Sequence, residues 1–239
     1  MNIWTRDDDG VRRLFGIPVG GPWRSDSRIV LRRFEPENPS LLVPRAVGIG
    51  WDFNLGAVAV HLGLIRPDDS LPDLNEYVPE TLRRGLVAAP WIGAGVASGM
   101  ALGFVKADRV ATSWSLGGKP NHYMSGVAAA LTTTGITTAA ALYPRWVGKE
   151  DGADIAATAQ ALGILTVIGM ANRAARKEIR RPASRQPFAV AGAVLAPVVM
   201  GGVLIGTVKV ALDGVAQSLA HGGKAGQSGE RGRNIGFHS

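Results

Sequence analysis

Apolar residues change their spacing near residue 85. Beyond it lie four blocks with no polar face at helical spacing: LVAAPWIGAGVASGMALGFV (86–105), MSGVAAALTTTGITTAAALY (124–143), IAATAQALGILTVIGMA (155–171) and FAVAGAVLAPVVMGGVLIGTV (188–208). None contains Asp, Glu, Lys or Arg. A helix rises about 1.5 Å per residue, so about 20 residues cross a hydrocarbon core of about 30 Å. A helix that is apolar all round belongs in lipid or deep inside a protein. Four in one chain predict an α-helical integral membrane protein with four transmembrane helices. The third block, bounded by Asp154 and Arg173, is short and needs anchoring or local thinning of the bilayer.

Upstream the pattern has period two. SRIVLRRF (27–34) is β-branched, and WDFNL (51–55) alternates Trp51, Phe53 and Leu55 with Asp52 and Asn54. AVAVHLGLI (57–65) continues through Val58, Val60, Leu62 and Leu64, its parity shifted at Gly56 as a bulge would do. Gly48 and Gly50 suit a turn before Trp51. Residues 11–70 are therefore expected to form a small antiparallel β module at the N-terminal side, too small for a large core and leaning on the membrane. Residues 1–10 read as an acidic tail, 71–85 as a linker and 86–212 as the transmembrane domain. Residues 213–239 read as a glycine-rich basic tail, unstructured or ordered by a partner.

The stretch FEPENPSLLVPRAVGIGWDFNLG (34–56), followed by LIRPDD, resembles a short bacterial domain of unknown function, family 5808. The resemblance rests on an acidic-Asn-Pro step, a Val-Pro-basic step, a Gly-Ile-Gly-aromatic run and an Asn beside an aromatic residue. It covers about a tenth of the chain. The chain departs from the pattern at Ala46, where a basic or bulky residue is usual, and at Asp52, where Thr is common. The resemblance implies a membrane-associated protein of bacterial, actinobacterial type, and it brings no catalytic residue with it.

Charge adds a second asymmetry. Through residue 85 there are 11 Lys and Arg against 12 Asp and Glu; afterwards there are 15 against 7. The net charge of +7 thus sits between the apolar blocks, which favours lipid headgroups over nucleic acid as its partner. NRAARKEIRRPASRQP (172–187) holds Arg173, Arg176, Lys177, Arg180, Arg181 and Arg185, assigned to headgroup contact and orientation. Four spans place both ends on one side, expected to be the cytoplasmic face of a bacterial plasma membrane. That leaves this loop outside, against the positive-inside rule. A fifth span over 53–65 would reverse it, but 13 residues suit a strand or an interfacial piece better; orientation and span number stay open between the two.

Chemistry is sparse. There is no cysteine, which excludes disulfides, thiolate metal sites and cysteine nucleophiles. His61, His122, His221 and His238 are scattered, and no metal or cofactor is expected. Asp7–Asp9 and Asp68–Asp69 read as a solvated tail and a turn. GGKP (117–120) lacks the strand, glycine spacing and hydroxyl residue of a phosphate loop. Gln160 and the threonines at 132, 133, 134, 137 and 138 are the notable polar groups within the blocks. Gly95, Gly99 and Gly103 form a small-residue ladder; Gly202 with Gly206, and Gly192 with Ala196, repeat the spacing that lets helices approach closely. These features favour a non-enzymatic accessory or scaffolding subunit of a larger envelope or transport complex, a lipid-transport complex among the conceivable hosts. It would contact a membrane-protein partner through its small-residue faces. The alternative is a small homo-oligomeric transporter or channel using the threonine-rich second helix.

Overall fold

The structure, a computed structural model, describes residues 4–6, 11–20, 30–45, 48–147 and 152–233, with side chains through Ser218. Strands β1 (Trp4–Arg6), β2 (Arg12–Leu14) and β3 (Ile17–Gly20) form an antiparallel meander. β4 (Leu42–Pro44) pairs elsewhere, and β5 (Gly48–Ile49) closes the meander on β3. β6 (Trp51–Phe53) pairs with β4 as a separate two-stranded ribbon, Leu42 opposite Phe53 and Pro44 opposite Trp51.

Two of the other expected strands are helical where they are described. Residues 30–34 form a helical turn that ends in the 3-10 segment Arg32–Phe34, residues 27–29 lying outside the described ones, and AVAVHLGLI lies in helix α1 (Leu55–His61) and the turn after it. The deciding residue is Asn54, in extended conformation, whose side-chain oxygen accepts from the amides of Gly56 (3.1 Å) and Ala57 (3.3 Å). An N-cap of this kind commits the next residues to a helix whatever their alternation. Within the expected linker, Ser70 caps a short α2 (Leu71–Leu74), followed by the 3-10 turn Asn75–Tyr77.

Four long helices follow: α3 (Glu80–Leu102), α4 (Gly126–Val147), α5 (Ala153–Arg180) and α6 (Pro187–Arg233). Among the described residues three helices, not the expected four, are long and apolar enough to cross a membrane: α3, α5, and α6 as far as Ser218. These suggest a membrane protein. α4 has the length, but five threonines dilute its apolar content. The short third block proves to be part of a 28-residue helix, about 42 Å long. It is also the central one: its most apolar stretch is 61% buried, against 22% in α3 and 17% in α6. Ile92, Val96, Val194 and Val198 instead point outward, an exposure that lipid would solvate without the cost that water imposes.

The bundle is closed differently at its two ends. At one end Phe34, Leu71, Leu74 and Val78 of the N-terminal module share a core with Val147, Ile155, Leu204 and Val208. At the other, a hairpin of β7 (Val110–Trp114) and β8 (Pro120–Met124) packs with Ala101, Phe104, Ala129 and Ala175. Its tip is held by Gly118, at φ +73°, whose carbonyl accepts from the Gln186 amide at 2.8 Å in the turn before α6.

Of the small-residue spacings, Gly192 with Ala196 packs within the bundle, whereas Gly95, Gly99, Gly202 and Gly206 are not used between its helices. Open space surrounds Gly95, Gly99, Gly202 and Gly206, whereas the helix contacts use Gly93 against Leu165, Gly163 against Met200 and Gly192 against Val167 and Met170. The tail expected to be unstructured continues α6 through Arg233; no proline after Pro197 interrupts it.

Candidate functional site

The hairpin end carries a basic crevice. AARKEIRR is rich in helix formers, so α5 runs past its apolar block for two more turns. That spacing stacks Arg173, Arg176, Lys177, Arg180 and Arg181 near one another. With Met100 and Phe188 they line a crevice of about 620 Å³. Arg185, assigned with them from sequence, is exposed in the turn beyond and does not line it.

Phe188, on the first turn of α6, collects two of the cations. The Arg173 guanidinium lies 4.4 Å and the Lys177 ammonium 5.4 Å from its ring centroid. Arg176 reaches across to α3 and donates to the Met100 carbonyl at 3.0 Å, placing a cation on the negative end of that helix. Gly103 permits the crossing: a Cβ there would stand 2.9 Å from the Arg176 nitrogen. This third step of the ladder therefore makes room for a side chain rather than a helix.

Among the described residues, no carboxylate pairs with any of the five crevice cations. The nearest acid in sequence, Glu178, is buried and accepts from the Tyr123 hydroxyl of β8 at 3.1 Å. Arg109 sits 5.1 Å over the Tyr123 ring. Burial, and then the hydrogen bond and charge of Glu178, hold the Tyr123 phenol above its ordinary pKa, so it remains a donor at neutral pH.

A second cavity, of about 430 Å³, opens between α3, α4 and α5 at the module end. Arg83 and Asp154 bridge it at 3.2 Å, and Arg83 also donates to the Asn75 carbonyl (3.0 Å) and side-chain oxygen (2.8 Å). Arg145 covers the Trp91 ring at 5.3 Å from the mouth. In the sequence Asp154 marks only the edge of an apolar block, and a bridge across 71 positions leaves no local signal.

Other sequence candidates are spent locally. Thr137 donates to the carbonyls of its own helix at 133 and 134 and meets Ser98 of α3 at 3.0 Å. His61 contacts the Ala57 carbonyl through Nδ1, and His122 meets Thr112. Asp69 closes a turn on the Arg66 amide at 2.7 Å, and GGKP is the hairpin tip. Asp7–Asp9 and His238 lie outside the described residues, as does the side chain of His221. Among the described residues, no group of three or more His, Asp or Glu could hold a metal ion.

The stretch 34–56 is a knot between module and bundle. Asp52 of β6 takes Arg33 in an ion pair and Arg45 at 3.1 Å. Arg33 in turn donates to the Gln160 amide oxygen of α5, at 2.8 and 3.3 Å with that amide turned oxygen-inward. Asn54 is wholly buried; besides capping α1, it accepts from the Glu35 amide and donates to the carbonyls of Glu35 and Asn38. Gly56 lies against the same strand of chain, where a Cβ would stand 2.7 Å from the Pro36 nitrogen. Residues 36–60 match the model of a family of unknown function, DUF5808. No curated protein and no solved structure matches the chain.

Within the DUF5808 segment the expected faces are exchanged. Asp52 and Asn54 turn inward, while Trp51 is 44% and Phe53 62% exposed. Leu42, opposite Phe53, is exposed as well, and Val43 on the other face is buried. The segment is thus a ribbon with a polar, ion-paired inner side and an apolar outer one.

Proposed function

We propose that the protein is a non-enzymatic, multi-pass protein of a bacterial plasma membrane, an accessory or scaffolding subunit that docks a larger membrane-protein partner. The observation that carries the reading is the outward apolar face of the DUF5808 ribbon, Leu42, Trp51 and Phe53. An apolar face turned outward, over a side held by ion pairs, is the signature of a surface covered by something else. The unfilled small-residue faces of α3 and α6 support it, because in lipid such faces associate through close backbone approach.

The test is affinity purification from membranes in mild detergent, with quantitative proteomics, comparing the native chain with a Trp51→Ser/Phe53→Ser variant. The expected result is a reproducible membrane-protein partner, depleted about tenfold or more by the double substitution. A native chain that brings down no membrane partner would defeat the reading. Equal recovery by the variant would remove the ribbon from it.

We further propose that α4 crosses the membrane with the other three helices, since it packs between the hairpin end and the module end against α3 and α5. On this reading the unpaired cations favour the cytoplasmic side for the hairpin end, where the leaflet is negatively charged. The N-terminal module would then lie outside, the alternative to the cytoplasmic placement expected from the sequence.

A further inference from the structure

We infer that the basic crevice binds the headgroup of a lipid bearing two phosphate charges. The inference deepens the membrane placement proposed above and is independent of any protein partner.

Its first ground is charge. Arg173 with Lys177 and Arg176 with Arg180 are like-charged pairs four residues apart on one helix, and Lys177 with Arg181, the residue that caps its end, is a third pair at the same spacing. Each such pair is unfavourable on an isolated helix. No described carboxylate relieves them, because Glu178 is turned away to Tyr123. An anion completes this stretch, and one negative charge among five cations leaves most of the repulsion standing. Two phosphates between neighbouring turns meet all three pairs.

The second ground is the shape and position of the crevice. At about 620 Å³ it falls in the range of about 300–1,000 Å³ that holds a whole small molecule rather than a single ion. Its apolar contribution comes from Met100 and Phe188, which stand where the apolar stretches of α3 and α6 end. A ligand with phosphates at the rim and acyl chains continuing into hydrocarbon satisfies both kinds of lining; a free diphosphate satisfies only one. Phe188 also fixes Arg173 and Lys177 beforehand, which lowers the ordering cost of binding.

The experiment uses the full chain in nanodiscs of phosphatidylcholine doped with cardiolipin, or with phosphatidylglycerol at equal total phosphate charge. Bound lipid is read by native mass spectrometry and folding by thermal unfolding. Retained cardiolipin and a raised Tm, with phosphatidylglycerol clearly weaker, is the expected result. Lys177→Gln/Arg180→Gln/Arg181→Gln should weaken cardiolipin binding about tenfold or more while unfolding normally in phosphatidylcholine alone. Lys119→Gln, a hairpin cation outside the crevice, should bind as the native chain does. Equal retention of the two anionic lipids, or undiminished binding by the triple variant, would overturn the inference in favour of diffuse attraction to the leaflet. Inorganic pyrophosphate that binds as tightly as cardiolipin would overturn the lipid as ligand.

Discussion

Asn54 concentrates more bonds than any other side chain described in the N-terminal module: two capping bonds, one from the Glu35 amide, and two donated to carbonyls. Removing an N-cap costs about 1 kcal/mol, and each buried polar group left unmet adds about 1–3 kcal/mol. Asn54→Ala should therefore lower stability by about 3 kcal/mol or more. Gly56→Ala should do similar harm by another route, because the obstructing atoms are backbone at Glu35 and Pro36 and cannot turn aside. Both would appear as a lower Tm in detergent and as earlier proteolysis between residues 34 and 60; variants as resistant as the native chain would refute this account of the motif. The strand at Trp51–Phe53 was legible from its alternation, but not which side is buried. Burial followed the hydrogen bonds of Asn54 and the ion pairs of Asp52, whose partners lie up to 19 residues away and leave no mark in the period.

Among elements, the apolar blocks announced the helices, since lipid solvent demands composition alone. Their limits were less readable: α5 extends through charged residues that happen to be good helix formers, and α4 is diluted by threonine. The hairpin went unread although Gly117-Gly118 between two short runs is a turn signal. Within this chain the ladder at Gly95 and Gly99 faces outward, while Gly93, Gly163 and Gly192 make the contacts. Gly126 makes the tightest of them: a Cβ would stand 1.9 Å from the Phe104 carbonyl oxygen, where the start of α4 donates its amide to the Ala107 carbonyl. Gly126→Ala should cost about 3 kcal/mol by prying α4 from the turn after α3, while Gly99→Ala should leave Tm unchanged or slightly raised. Melting both in the same detergent decides it, and a benign Gly126→Ala would show that the hairpin end is not closed in this way.

For the whole molecule, the conflict between even spans and the positive-inside rule changes character once the pairing of charges is known. At the module end Arg83 is held by Asp154, Arg84 by Glu80, and Arg33 and Arg45 by Asp52. At the hairpin end the crevice cations are unpaired among the described residues, and each unpaired cation near an anionic leaflet is worth about 1 kcal/mol. On the placement proposed above, the hairpin lies inside and the N-terminal module outside. Because the chain has no cysteine, single substitutions can report it cleanly. Leu116→Cys lies at the hairpin tip, where the native side chain is 95% exposed, and Ser40→Cys lies on the exposed surface of the module. In intact cells a membrane-impermeant maleimide should label Cys at 40 and spare Cys at 116 until the membrane is opened. The opposite pattern would put the basic crevice on the outer leaflet and the module in the cytoplasm. Labelling of both in sealed cells would mean an even number of crossings between them, and with it the loss of the two-ended bundle.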